Sequence, residues 1–267
     1  MERHRSHRDR DDAAALGTGV TCPLIRIHPA VIAQAAATAA VMMPGRFFLG
    51  VGTGENLNEH VVGEGWPDVD TRREMLEEAV AVLRLLWKGG EQSHFGRYYT
   101  VDNARVYTVP DEPPPVMIAA GGKASAQLAG SVGDGLIGTA PESALIDTFE
   151  HAGGRKKPRY GQLTVCWARS DEEARRVAYE WWPNSVVPGD LPWELPRPRH
   201  FEQACKLVDE NAVAKQIVCS SDVTPHLAAI RQFVDAGYDH VYVHQVGPDQ
   251  EGFFRFYETT VLPQLNS

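Results

Sequence analysis

Apolar positions along this chain fall into two patterns. Unbroken apolar runs occupy residues 16–21, 47–51, 116–120, 136–139, 163–168 and 241–246. None alternates apolar with polar residues, as a strand with one wet face would, so each predicts a strand covered on both sides. Between the runs the period changes. Met75, Ala79, Val82, Leu83 and Leu86 share one helical face. Thr71 and Glu74 read as a capping box before it, and Gly89 and Gly90 read as its stop. Ser170 and Glu173 repeat the box ahead of a helix ending by Trp182, where Pro183 follows. Pro29 and Pro225 sit where a first-turn proline loses no hydrogen bond, and their helices are expected to run to about Met43 and Gly237. Strands separated by helices predict an α/β fold with a parallel sheet. Six such strands suit a doubly wound sheet or a barrel, and both place function just after the strand ends.

Two stretches depart from this rhythm. Residues 98–107 are strand-like but lie between a glycine turn and the cluster "PDEPPP", which predicts a small excursion. Residues 182–198 carry five prolines and predict a surface loop over one end.

At 267 residues the chain suits one domain, expected over 16–267 behind a charged, disordered segment at 1–15. Its net charge of -9 would repel a phosphate backbone, so nucleic acid is excluded as a partner. Cys22, Cys166, Cys205 and Cys219 have no C-x-x-C spacing and read as reduced packing residues, with no metal site implied. The longest apolar stretch, 31–43, contains Gln34 and Thr38 and is too short for a bilayer. The first twelve residues mix both charge signs and lack the apolar core of a secretory signal. The expectation is a cytoplasmic protein with no membrane contact.

The residues after the strands carry the chemistry. Gly52, Thr53, Gly54, Glu55 and Asn58 follow the second run. Glycines there admit a ligand close to the backbone. The spacing is GxGxG, with Glu55 where a dinucleotide fingerprint needs its third glycine. Glu55 reads equally as a helix-capping carboxylate. "VMIAAGGKAS" sends a strand through Gly121 and Gly122 into a helix, a turn that could hold an anion at unpaired amides. It lacks a Walker pattern, and a plain tight turn accounts for it as well. "GDG" at 133–135 precedes a strand and reads as a structural turn on the opposite rim. His244 ends the last run, where a histidine can act as acid or base or serve the structure. His28 and His60 are weaker candidates. No Ser-His-Asp order, H-E-x-x-H or ligand cluster appears.

The segments "LGTGVTCP", "HPAVIAQAAATAA", "PGRFFLGVGTGENLNE", "LEEAVAVLRLLWKG", "VMIAAGGKASAQLAGSVGDGLI", "SDEEARRVA" and "HVYVHQVGPDQEGFFRFYE" together resemble the luciferase-like coenzyme F420-dependent oxidoreductases, in the branch of the F420-dependent glucose-6-phosphate dehydrogenases. The likeness runs from Leu16 to Leu265. It implies a TIM (β/α)₈-type barrel, a homodimer, and a deazaflavin in the mouth that exchanges hydride with a small organic substrate. By position, Gly19 and Val20 match a non-proline cis bulge behind the ring. Gly54, Glu55 and Asn58 match the ring-side turn, with Glu55 as proton donor or charge stabiliser. Ala119, Ala120, Gly121 and Gly122 match the loop around the phosphate-bearing tail.

Two departures shape the expectation. The family's first two strands, with an active-site His and Trp, have no counterpart before Leu16, so about six of eight βα units are expected and barrel closure is in question. Of the cations that hold a sugar phosphate, only Lys215 aligns; Pro141 or Glu142 and Glu251 or Gly252 stand at the others. A carboxylate there repels phosphate, which disfavours glucose 6-phosphate and leaves an alcohol, carbonyl or enone. An FMN-dependent luciferase-like monooxygenase is the enzymatic alternative, and a non-catalytic fragment or binding protein is the other.

Overall fold

The computed structural model describes residues 14–265. Most of the expected disordered segment lies outside them. Of that segment, the Ala14 carbonyl accepts a hydrogen bond from Arg46 at 3.0 Å.

The strands are β1 (Leu16–Gly17), β2 (Phe47–Val51), β3 (Gln92–Phe95), β4 (Thr100–Ala104), β5 (Val116–Ala119), β6 (Gly135–Gly138), β7 (Arg159–Cys166), β8 (Val218–Cys219) and β9 (His240–Gln245). The helices are α1 (Pro29–Met42), α2 (Asn56–Glu59), α3 (Val69–Leu86), α4 (Lys123–Val132), α5 (Ser143–Phe149), α6 (Asp171–Trp181), α7 (Leu191–Glu194), α8 (Pro198–Cys205), α9 (Glu210–Gln216), α10 (Val223–Asp235) and α11 (Gln250–Phe256). The main sheet is parallel throughout, in the order β1-β2-β5-β6-β7, with β9 along β7 and the two-residue β8 against β7's end. The chain therefore builds a curled, six-stranded half-barrel of the TIM type, to which β8 adds a short rung. Among the described residues β1 bonds only to β2, and β9 only to β7.

Strand register decides the two faces. Leu49, Val51, Val116, Ile118, Leu136, Leu163 and Val165 point outward into one core shared with α1, α3, α4 and α10. Four buried alanines, Ala33, Ala36, Ala37 and Ala40, let α1 approach closely. Leu76, Leu83 and Leu86 of α3 are fully buried there, each worth about 2 kcal/mol. The opposite, concave face carries Phe48, Gly50, Met117, Tyr160, Tyr242 and His244. A second, smaller core of Cys166, Ala178, Val213, Ile217 and Val246 joins α6 and α9 to the end of β7.

Several element ends differ from the sequence expectation. The α3 cap is Asp68, which accepts from Thr71 N at 2.9 Å, so the helix opens before Thr71. Glu74 is drawn off to Tyr98 and Arg97. Of the second box the serine half forms, with Ser170 Oγ capping α6 by accepting from Glu173 N at 3.2 Å. Asp222 caps α10, placing Pro225 later in the first turn. The run at 16–21 pairs as a strand over only two residues, Leu16 and Gly17, and Thr21 then bridges Val51 beyond the cis Gly19–Val20 peptide. Residues 92–104 form an antiparallel hairpin, β3–β4, tied down by Glu78, which accepts from the amides of Arg97, Tyr98 and Tyr99.

Candidate active site

Parallel register sets the geometry. Leu49 pairs with Val116 and Val51 with Ile118, so the turns after β2 and β5 open on the same rim. The cis Gly19–Val20 bulge joins them there. A Cβ built on Gly52 would lie 2.9 Å from Val20 Cγ2 and 3.3 Å from the Ala119 Cβ. Three strand ends thus close to contact, and only glycine fits between them. A Cβ on Gly19 would lie 3.5 Å from Tyr242 Oη, which brings the last strand to the same place.

The next residues differ sharply. Cβ atoms on Gly121 or Gly122 would meet nothing within 4 Å. Gly122 is also the cap of α4, and no side chain accepts from that helix's first amides. Open space therefore adjoins unpaired donors, the arrangement that suits an anionic group. Ala120 is buried behind this turn and Ala119 is half-buried in its floor.

Glu55 is the cap residue of α2, without capping with its own side chain. Its carboxylate instead accepts from Asn58 Nδ2 at 3.1 Å, and partial desolvation raises its pKa although the side chain keeps contact with solvent. A raised carboxyl on an accessible rim can hold a proton for a reacting oxygen. Gly54 adopts φ 75°, and a Cβ there would collide with Cys22. Thr53 lies half-buried between Gly52 and Gly54. Beneath the turn Glu59 is 1% exposed and accepts from the Arg26 amide at 2.9 Å. Burial pushes the Cys22 thiol up to about 12, so it is an inert packing group.

His244 stands on the concave face beyond Tyr242. Burial lowers its imidazole below the usual range, so it is neutral near pH 7. Its Nδ1 is buried with no hydrogen-bond partner. Trp182 meets the ring edge-on at 5.0 Å.

The structure thus gathers Gly19, Val20, Gly52, Ala119 and Tyr242 by contact, with Glu55, Asn58, Gly121 and Gly122 on the turns that follow. Lys215 lies on α9, which packs on α6 and β8. It is exposed in the last turn of α9 and forms no ion pair among the described residues. His28 caps α1 by accepting from Ala30 N, and His60 contacts the Asn56 carbonyl; both serve local structure. "GDG" lies at the other rim, where Asp134 accepts from Val116 N and Arg84. No group of metal-binding side chains occurs among the described residues, and all four cysteines are free. No described helix is long and apolar enough to cross a membrane.

Trp182, Tyr242 and Glu59 were not anticipated. Tyr242 was within reach, since it precedes His244 by two residues and so shares its face. Trp182 belongs to the proline-rich excursion, whose path no local pattern encodes.

Comparisons with known proteins agree with this geometry. The family described as luciferase-like monooxygenase matches residues 13–240. An F420-dependent glucose-6-phosphate dehydrogenase of Microbacterium testaceum is 33% identical over 96% of this chain and 80% of its own length. An F420-dependent hydroxymycolic acid dehydrogenase of Mycobacterium tuberculosis is 35% identical over 93% of this chain and 70% of its own. Among solved structures, an F420-dependent secondary alcohol dehydrogenase in complex with an F420-acetone adduct superimposes with a TM-score of 0.84 at 28% identity, covering 93% of this chain and 78% of that one.

Proposed function

The chain belongs to the luciferase-like monooxygenase family, and on that footing we propose that it is a coenzyme F420-dependent oxidoreductase acting on a small, uncharged alcohol or carbonyl compound. The observation that carries this reading is the floor at Gly52. Val20, Ala119 and Gly52 meet so tightly that no side chain fits at Gly52, while Gly121 and Gly122 leave open space beside uncapped amides. A planar ring with an anionic tail fits both halves. The deazaflavin supplies, when bound, a ring carbon that carries hydride as a two-electron unit.

The protein's own residues supply orientation and proton handling. The cis Gly19–Val20 bulge and Gly52 back the ring, and Thr53, Gly54 and Asn58 border it. Gly121 and Gly122 offer amides to the tail, while the Ala120 amide is held by the Ile137 carbonyl at 2.8 Å and fixes the turn behind them. Glu55, its carboxyl pKa raised by burial, is the proton donor or charge stabiliser for a substrate oxygen in this reading. His244, neutral near pH 7 on the concave face, is the acid or base assigned to the substrate hydroxyl in this reading. Glu251, exposed and paired with Arg255 at 2.8 Å, brings a carboxylate and not a cation to its position, which supports a neutral substrate over a sugar phosphate. The likeness to the secondary alcohol dehydrogenase supports the same choice. The protein is proposed to work as a soluble homodimer in the cytoplasm.

Titration with F420 and with FMN, followed by assays with propan-2-ol and with glucose 6-phosphate, tests the reading. Saturable F420 binding and alcohol-dependent F420 reduction are expected. Tighter FMN binding with oxygen consumption would overturn it in favour of a monooxygenase. Binding of neither cofactor would leave a non-catalytic protein.

A further inference from the structure

Residues 182–197 run between two fixed points on the rim. At the first, Trp182 rests edge-on against His244, near the end of β9. At the second, α7 docks on α2, the helix that begins directly after Glu55. There the Glu194 carbonyl accepts from Asn56 Nδ2 at 2.9 Å, and the Glu194 carboxylate receives Arg72 Nη2 at 3.2 Å. Between these points Val187 is buried, and Val186 packs on the small core of α6 and α9. The segment therefore straps the end of β9 to the end of β2, across the concave face.

The chemistry of the second anchor is unusual. Arg72 is 1% exposed, its guanidinium lies 4.1 Å over the Trp66 ring, and its Nε has no partner. A buried cation is expensive to keep without a counter-charge. Glu194 is the one carboxylate that pairs with it directly among the described residues, from 122 positions away, while Asp68 acts on it at longer range and the Pro67 carbonyl accepts from Nη1. Glu194 itself is 46% exposed, so the pair joins a fixed buried partner to a surface segment.

We propose that Glu194 is a positioning residue. Its carboxylate, held by Arg72, locks the strap over the mouth, and its carbonyl, held by Asn56, steadies the turn that presents Glu55. This rests on the oxidoreductase reading for its effect on turnover, but the lock itself is a property of the free protein. The strap sets the distance between substrate and Glu55, so loosening it lowers kcat more than it raises KM.

Hydrogen exchange of the ligand-free protein and steady-state kinetics with F420 and propan-2-ol test this on Glu194→Gln, Arg72→Met and the double variant. Glu194→Gln should speed exchange in residues 182–197 and 55–59 about tenfold, with strands β5 to β7 unchanged. It should cut kcat about tenfold, as a misplaced group does, with KM within about threefold. The double variant should match Arg72→Met alone, since the two residues act as one unit. Unchanged exchange at 182–197, or additive effects in the double variant, would overturn the proposal. A wild-type protein that shows the exchange result but no F420 chemistry would sink the oxidoreductase reading and Glu194's part in turnover, leaving only the lock.

Discussion

The ring of Phe48 lies 5.1 Å from that of Tyr160, although β5 and β6 separate their strands in the sheet. Only a strongly curled sheet lets side chains meet across two intervening strands. Tyr160 in turn stacks on His240 at 4.4 Å, so an aromatic row lines the lower concave face beneath the candidate site. A Cβ on Gly17 would strike the Phe48 ring.

That row predicts a coupled pair of substitutions. Phe48 is half-buried, so Phe48→Ala should lower unfolding free energy by about 2 kcal/mol, below the range for fully buried phenylalanine. Gly17→Ala should cost about 1–3 kcal/mol through overpacking. In the Phe48→Ala background the Gly17→Ala cost should largely vanish, because the ring it strikes is gone. Urea denaturation of the four proteins measures the coupling, and simple additivity would contradict the contact.

Two glycines, Gly50 within β2 and Gly121 in the turn after β5, should behave in opposite ways. A Cβ on Gly50 would collide with the Thr18 carbonyl oxygen, a backbone atom that cannot turn aside. Gly50→Ala should therefore cost at least about 1–3 kcal/mol of stability. Gly121→Ala meets only open space and should leave thermal stability unchanged while weakening F420 binding several-fold. Thermal melts beside a fluorescence titration distinguish the two. A stable Gly50→Ala protein would refute the packing at β1.

Glu55 combines a stability effect with a catalytic one. Its folded pKa is raised, so its contribution to stability is present when it is protonated and is lost as pH rises through that value. Glu55→Gln should thus be more stable than wild type at pH 7, with the gap closing below about pH 4. The same change should cut kcat about 10²–10³-fold and abolish the alkaline fall in rate. A variant that keeps wild-type kcat would remove Glu55 from proton transfer.

Acid sensitivity has a separate source in His226, which is fully buried in α10. Its Nε2 faces the Ser220 carbonyl at 3.1 Å, which only accepts, so Nε2 carries the hydrogen and Nδ1 accepts from the Tyr257 hydroxyl at 2.9 Å. Burial lowers its pKa, as it does for His28 and His244. The unfolded chain therefore binds more protons, and stability should fall as pH drops below about 6.5. His226→Gln should reduce that slope by up to one proton, or about 1.4 kcal/mol per pH unit. Urea midpoints at pH 7, 6 and 5 provide the check.

The parallel strands and the glycine turns were legible because their signals are local. Continuous apolar runs such as 47–51 and 116–120 mark buried strands whatever surrounds them, and the residues after them must share a rim once the sheet is parallel. Strand ends moved where neighbours decided them, as in the run at 16–21, which pairs as a strand over only Leu16 and Gly17. The α3 start was misread because Thr71 and Glu74 match a capping box, while Asp68 competes for the same amide and Tyr98 and Arg97 claim Glu74. Arg72 and Glu194 were invisible for a plainer reason. Nothing in a sequence marks which of its 26 cationic residues will lose contact with water, or which carboxylate will follow it from far along the chain.

The Asp134 anchor at the far rim, bonded to Val116 N and Arg84, holds β5 by its starting end, while Gly121 and Gly122 hang from its finishing end. Structural duty and chemical duty are therefore assigned to opposite termini of the same strand. A mutational library confined to 119–122, 53–58 and 182–197 could retune reactivity while the opposite end keeps the scaffold standing, which makes this protein a tractable starting point for redesign.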